Sequence, residues 1–472
     1  MPDPIRISGR FRLKKPYALN EYEKDIQPLF GQFLRQLQED ALTGTFGEFD
    51  PGIFATADAY NAFKEKADRL ACVRDLTGNE DPPTGRLPFE LQLAAEAFAS
   101  TEIGLQKLVH VLVSDLFERS VAGLEGDVAI AGVDLGPLQQ TFIDAYRPQS
   151  HTIGAIRNKF GLKQDQPLLA FTIKPRSGLT EGDYYHLSQE AFRGGCQIVE
   201  MDTRDLDVSQ GDRADMILNL SKYALELSAT DAPKRFSANL SGPVHAVRDL
   251  FERLSDLHKD RAADCWVVKV DGNLDGMSTI QAIRSSHLKA HSQPIITCYP
   301  VLKYALGRFL GPDTLVRLLV LSGADIIYPG GRPRFKSDRD IDGAQLSESK
   351  RHYDAMRMGD FPLLSVAGGT SIGHVHSTIA LLGTDIAFFV GGGIALSKKG
   401  LHKAAANFNT AIRYALEDVR KPKWDAALFR GRYAPLTNVY SNNDIVPAQF
   451  EYVNPCNLME RKVDMSFRPK PG

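Results

Sequence analysis

The sequence predicts an α/β protein, with a C-terminal (β/α)8 TIM barrel preceded by an N-terminal α+β domain. Three observations predict it. Eight short apolar runs, each ending abruptly in Gly, Pro or charge, recur from Leu168 onward. Amphipathic helical segments alternate with them, which is the pattern of parallel crossover units. The chain has 472 residues, too many for one average domain, and its eight units span roughly 270 residues against the usual barrel length of about 250.

Residues 1–150 make up the expected α+β domain. Ile5–Leu13 alternates apolar with basic residues and predicts an edge or exposed strand. Asp40–Gly52 and Asn79–Gly85 predict loops, the first from glycine and acid, the second from its two prolines. Leu87–Ala99 has helical spacing of apolar residues, and Lys107–Phe117 is strongly apolar. Tyr146-Arg147-Pro148 and the polar segment after it predict the linker.

The barrel is expected over residues 151–435. Its strand runs are Leu168–Pro175, Gln197–Asp202, Arg235–Gly242, Trp266–Gly272, Pro294–Pro300, Asp325–Gly331, Leu363–Gly369 and Ile386–Gly393. The first crossover helix starts on Thr180 with Asp183 three residues later and stops at Gly194-Gly195. Further helices are predicted at Ala214–Ser228, Val244–Leu257, Leu302–Leu321 and Ile372–Leu382. An open doubly wound sheet is disfavoured, because no GxGxxG follows the first run. Residues 436–472 are rich in Asn and Pro and predict a C-terminal tail.

Composition narrows the function. Lys+Arg 56 against Asp+Glu 58 leaves no basic field for nucleic acid or a membrane surface. There is no uninterrupted apolar span of about twenty residues and no signal peptide at Met1-Pro2-Asp3-Pro4. The five cysteines contain no CxxC pair and predict buried thiols in a reducing, cytoplasmic setting.

The C-terminal ends of barrel strands are where this fold keeps its chemistry. The first strand offers Lys174 and Arg176, the second Glu200 and Asp202, and the fifth runs on to Lys303. Glu200 and Asp202 lie on one strand face and predict either a site for a hard cation such as Mg²⁺ or an acid/base pair. A structural ion pair with Lys174 is the rival reading. Gly368 and Gly369 after the seventh strand, and Gly391 and Gly392 after the eighth, each precede a helix and predict a phosphate cradle. Tight turns are the rival there. Arg332, Arg176 or Lys303 supply the expected counter-charge. His374 and His376 read as catalytic groups or as exposed helix residues.

The block Thr172-Ile173-Lys174-Pro175-Arg176-Ser177-Gly178-Leu179 resembles the T-I-K-P-K-x-G-L segment of ribulose bisphosphate carboxylase large subunits. Arg193-Gly194-Gly195 with Glu200-Met201-Asp202-Thr203 resembles that family's G-G-x-D-F-x-K-D-D-E, and Gly331-Arg332 falls at its mobile G-K loop. Ala367-Gly368-Gly369 and Gly391-Gly392-Gly393 are similar to its two phosphate loops. The resemblance covers about residues 140–420; of the N-terminal domain only Ser100-Thr101 echoes the family pattern. Departures are as informative. Glu200 stands where the carboxylases carbamylate a lysine, Thr203 replaces a metal-binding acid, Arg332 replaces the mobile-loop lysine and Ala367 replaces the phosphate-loop serine.

The resemblance therefore implies a RuBisCO-like (form IV) protein that does not fix CO₂. It implies enolate chemistry on a phosphorylated 3-oxo sugar acid, by a decarboxylase or a transcarboxylase/hydrolase. Lys174, Glu200, Asp202 and Lys303 would be the catalytic residues, with Mg²⁺ at Glu200 and Asp202. Arg176, Arg332, Gly368, Gly369, Gly391 and Gly392 would bind the phosphorylated substrate. The alternatives are an enolase or isomerase (tautomerase) of a ketose phosphate such as a methylthio-sugar phosphate, and a non-catalytic phosphometabolite-binding protein. A homodimer or a multiple of dimers is implied as well.

Overall fold

A strand buried on both faces by parallel crossovers reads as one continuous apolar run, and eight such runs close on themselves here. The computed structural model describes residues 4–14, 22–43, 56, 58, 61, 71–77, 86–98, 108, 124, 126–146, 151–175, 178–202, 210–229, 232–241, 266–272, 274–285, 293–300, 312–329, 353–368, 370–419 and 432–436. The chain divides into two units, one of residues 1–148 with 301–322 and one of residues 149–300 with 323–472.

The first unit holds an antiparallel sheet. Its strands β1 (Ile5–Leu13), β2 (Ala71–Asp75), β3 (Arg86–Leu93) and β4 (Gly126–Asp134) lie in the order β2-β3-β1-β4. β1 is a strand as expected, but an inner one, paired with β3 on one side and β4 on the other. Its alternation is real: Ile5, Ile7 and Phe11 are buried while Arg6 and Ser8 are exposed. The helix Gln27–Thr43 covers one face of the sheet. Its Phe33 ring meets Phe11 at 5.0 Å and Phe89 at 6.0 Å between centroids, both edge-on. Asp40 to Thr43, expected in a loop, belongs to this helix.

Leu87–Ala99, expected to be helical, is mainly β3 followed by the 3-10 turn Ala95–Phe98. Leu87, Phe89, Leu91 and Leu93 are all buried, so a period of two fits the segment and the sheet selects it. The helix Pro312–Leu321, on the C-terminal half of the predicted Leu302–Leu321, groups with this unit. Its Arg317 donates to Gln139 Oε1 of the helix Pro137–Tyr146 at 3.2 Å.

The second unit holds the barrel. Among the described residues its strands are β5 (Leu168–Thr172), β6 (Ile198–Met201), β7 (Arg235–Asn239), β8 (Trp266–Asp271), β9 (Ile295–Tyr299), β10 (Ile326–Ile327), β11 (Leu363–Ala367) and β12 (Ile386–Val390). All neighbours are parallel, and β12 pairs with β5 to close the ring. Each lies within its predicted run. The helix Glu181–Arg193 carries the expected capping box, with Thr180 and Asp183 satisfying each other's backbone N–H groups. The helix Gln210–Ser228 extends the predicted Ala214–Ser228 by four residues at its start, and Ile372–Leu382 falls as expected. The expected helix Val244–Leu257, the tail 436–472 apart from its first residue, and most of Lys107–Phe117 lie outside the described residues.

One element in the expected linker closes the barrel's floor. The short helix Ile153–Lys159 buries Ile153 and Ile156 among Leu168, Ile198, Val267, Ile295, Ile326 and Leu363, which open or nearly open six of the strands. Its Arg157 bonds Thr384 O at 2.7 Å and pairs with Asp385 at 2.8 Å. Beside this floor, the fully buried Arg284 and Asp325 meet at 2.6 Å. Asp325 also accepts backbone N–H bonds from Ile296 and His151, both at 2.7 Å, so every charge in this polar knot is matched.

Candidate active site at the barrel rim

Alternate strands of a TIM barrel contribute each inner layer of side chains, usually bulky and apolar. The layer from the second, fourth, sixth and eighth strands departs from that rule. Glu200 (β6), Lys269 (β8), Tyr328 (directly after β10) and Phe389 (β12) form it, and all four are buried. Lys269 Nζ donates to Glu200 Oε1 at 2.9 Å, and Tyr328 OH donates to Glu200 Oε2 at 2.6 Å. Thr172 Oγ1 adds a longer bond to Oε1 at 3.3 Å. The Tyr328 ring lies 5.5 Å from the Lys269 ammonium and packs on Phe389 at 4.7 Å, while Tyr299 meets it edge-on at 5.9 Å.

A carboxylate with 1% exposure is tolerated only with such partners. Burial works against the Lys269 charge, yet the Glu200 and Asp202 carboxylates outweigh it and hold the ammonium above the usual lysine range. Burial, reinforced by the Glu200 carboxylate, pushes the Tyr328 phenol well above its ordinary value. Tyr328 therefore keeps its proton and remains a donor.

Asp202, one step nearer the strand end, lies 3.7 Å from Lys269 Nζ, so the two predicted acids share one cation. Next to them Asn239 Nδ2 donates to Asp271 Oδ1 at 3.2 Å, and Asp271 N donates to Ser241 Oγ at 2.6 Å. These bonds fasten the ends of β7 and β8 together.

Lys174 follows β5 and runs along the turn after β12. A Cβ built on Gly391 would meet Lys174 Cε at 3.2 Å, Lys174 Cγ at 3.3 Å and the Thr172 carbonyl oxygen at 3.3 Å. Glycine at 391 is thus what lets the lysine lie there. Gly393 is tighter still, since a Cβ there would sit 2.5 Å from the Thr370 carbonyl oxygen. The turns after β11 and β12 therefore touch, with Gly368 exposed at φ +83° in the first and Gly392 opening the short helix Gly392–Ala395 in the second.

Of the predicted site residues, Lys174, Glu200, Asp202, Gly368, Gly391 and Gly392 are placed on this rim. Arg176, Lys303, Arg332 and Gly369 lie outside the described residues. His374 and His376 are buried, against the exposed reading. His374 Nδ1 accepts from Ser371 N at 3.1 Å and caps its own helix, while burial lowers His376 to about 4. Lys269 and Tyr328 are absent from the predicted set. Strand parity is the signal that finds them, because only side chains of alternate strands share a layer with Glu200.

The donors on this rim are not those Mg²⁺ requires. Both oxygens of Glu200 are already engaged by protein donors, one of them a full cation. No group of three His, Cys, Asp or Glu residues suited to a metal occurs among the described residues. A divalent ion here would have to displace Lys269 from between the two acids. This arrangement does not fit one.

No protein-family model matches the chain. It is 26% identical over 286 residues to the ribulose bisphosphate carboxylase of Methanosarcina barkeri, a match over 57% of this chain and 64% of that protein. The chain thus spans just under two thirds of that relative's length. To the ribulose bisphosphate carboxylase-like protein 1 of Rhodopseudomonas palustris it is 26% identical over 336 residues, covering 70% of this chain and 83% of that one. Among solved structures, the octameric ribulose-1,5-bisphosphate carboxylase/oxygenase of Pyrococcus horikoshii superposes with a TM-score of 0.69 at 18% identity, over 92% of both chains. The barrel, the separate antiparallel sheet and these relatives agree: the chain has the fold of ribulose bisphosphate carboxylase large chains and is similar in sequence to both a carboxylase and a RuBisCO-like protein.

Proposed function

We propose that this RuBisCO-like protein is an enzyme that cleaves a C–C bond of a phosphorylated 3-oxo sugar acid through an enolate, and that it does not fix CO₂. The observation that carries the reading is Lys174 lying against the Gly391 turn, on the barrel rim that also holds a buried ion pair between Glu200 and Lys269. The touching glycine turns after β11 and β12 supply the cradle for the phosphate, with backbone N–H groups at the start of the helix Ile372–Leu382 favouring an anion.

A 3-oxo acid needs an electron sink more than it needs a strong base. The bond between the carboxylate carbon and its neighbour breaks, and its electron pair moves into the ketone to make an enolate oxygen. The carboxylate leaves as CO₂. The enolate carbon then takes a proton from the Lys174 ammonium, which solvent restores. A fixed positive charge beside the developing oxyanion lowers that barrier, and a water-poor rim magnifies the effect. Transfer or hydrolytic release of the carboxyl fragment uses the same enolate.

Glu200 standing where carboxylases carry a carbamylated lysine supports a reaction other than carboxylation, as does the R. palustris relative. The octameric P. horikoshii structure supports assembly as a homodimer or a multiple of dimers. Buried reduced Cys196 and Cys298 suit a reducing, cytoplasmic setting.

The test is to incubate the protein with a panel of phosphorylated 3-oxo sugar acids and ketose phosphates and to follow the carbon skeleton by ¹³C NMR. Loss of a carboxyl carbon from a 3-oxo acid is the expected result, and Lys174→Ala should slow it by a factor of about 10² or more. Rearrangement of a ketose phosphate would replace this reading with isomerisation. Binding without turnover would replace it with a non-catalytic phosphometabolite-binding protein.

A further inference from the structure

We propose that the Lys269 ammonium takes the place of the activating metal in this chain, so that its rim chemistry is independent of divalent cations. The inference deepens the enolate reading and rests on this rim being the reaction centre. Three observations support it. Lys269 Nζ lies 2.9 Å from Glu200 and 3.7 Å from Asp202, so it sits between the two carboxylates that would otherwise share a cation. The second oxygen of Glu200 is closed off by the Tyr328 hydroxyl at 2.6 Å, leaving the carboxylate committed on both sides. The Lys269 side chain is only 7% exposed, and its ammonium lies over the Tyr328 ring, so it is held in place by packing as well as by charge.

A hard divalent ion needs several oxygens free to turn toward it, and its affinity scales with the negative charge they bring. Here one of the two carboxylates gives both oxygens to donors, and a unit of positive charge lies between the pair. An ammonium supplies less field than Mg²⁺ and no open coordination position. It suits a reaction whose substrate brings its own leaving group better than one that must activate an unactivated ketose. Metal independence and cleavage of a 3-oxo acid are therefore consistent features of one rim.

Manganese(II) is the probe, because free Mn²⁺ is counted directly by its electron paramagnetic resonance signal. Wild-type protein, stripped with EDTA and dialysed, is titrated beside Glu200→Gln and Lys269→Gln. Wild type and Glu200→Gln should retain the same free-Mn²⁺ signal, with no site that depends on Glu200. Folded Lys269→Gln should gain one site, bound about a hundredfold more tightly than any in the wild type. A wild-type site that disappears in Glu200→Gln would overturn the proposal. So would a folded Lys269→Gln that gains none. The wild-type comparison stands even if Lys269→Gln does not fold, and it reads metal binding, so failure of the substrate panel leaves this result distinct.

Discussion

Tyr328 shows how much one hydroxyl can be asked to do. It donates to a buried carboxylate, faces an ammonium and fills the space beside Phe389. Removing only the oxygen separates the hydrogen bond from the packing. Tyr328→Phe should cost roughly 1.5–3 kcal/mol, the range for a hydrogen bond to a charged group, measured as the shift of the urea unfolding midpoint. A loss near zero would mean that Lys269 and Thr172 satisfy Glu200 without the phenol. Glu200 itself was legible from the sequence, because a carboxylate near the end of an apolar run stands out. Its partners were harder to see. Lys269 lies 69 residues away in sequence and Tyr328 lies 128 away, and only barrel closure brings them to it.

Elements were legible in proportion to how far their own residues determine them. The eight barrel strands could be read because burial on both faces makes each a continuous apolar run. The helix Glu181–Arg193 was marked by its capping box, a purely local device. β3 is ambiguous in sequence, because Leu87, Leu91, Ala94 and Ala95 fit a helical period as well as Leu87, Phe89, Leu91 and Leu93 fit an alternating one. Pairing with β1 and β2 decides between them, and that pairing is not local. The helix Ile153–Lys159 reads as linker in the sequence because seven residues carry too little periodicity to announce themselves. Its importance comes from what it covers. Ile156 is fully buried in the barrel floor, so Ile156→Ala should destabilise the protein by about 2–5 kcal/mol, seen as a lower midpoint in denaturant.

At the scale of the whole molecule the acid limb of stability should carry the imprint of buried imidazoles, His376 above all, with burial also lowering His151. Burial lowers His376 to about 4, with the Asp418 carboxylate opposing the shift, whereas an unfolded histidine titrates near 6.5. Between those values the unfolded chain binds the proton and the folded chain does not. Stability is therefore complete above pH 6.5, falls as pH drops through the interval, and the loss is complete below about 4. The full effect is roughly 3 kcal/mol. The dependence of denaturant midpoints on pH between pH 7 and pH 4 should flatten in His376→Gln; an unchanged slope would assign the acid limb to other groups, among them His151, which burial also lowers. Fold class was legible at this scale, from length and the recurrence of strand–helix units.

The ring of parallel strands is not equally thick all the way round. β10 contributes two residues where its neighbours β9 and β11 contribute five each. The ladder runs on past those two residues, with Asp325 N donating to Ile296 O at 2.9 Å and Leu363 N donating to Asp325 O at 2.9 Å, so the seam here depends on the bonds that flank the strand. Tight fastenings stand at both of its ends: the Arg284–Asp325 knot just before it, and Tyr328 just after it. Tyr328 holds on twice, through its backbone to Cys298 O at 3.0 Å and through its hydroxyl to Glu200. The group that keeps the seam shut is thus the same group that holds the rim carboxylate. On the proposed chemistry, a substrate that draws Glu200 toward itself would tug on that clasp, and the rim carboxylate and the closure of the barrel would share one hinge-pin.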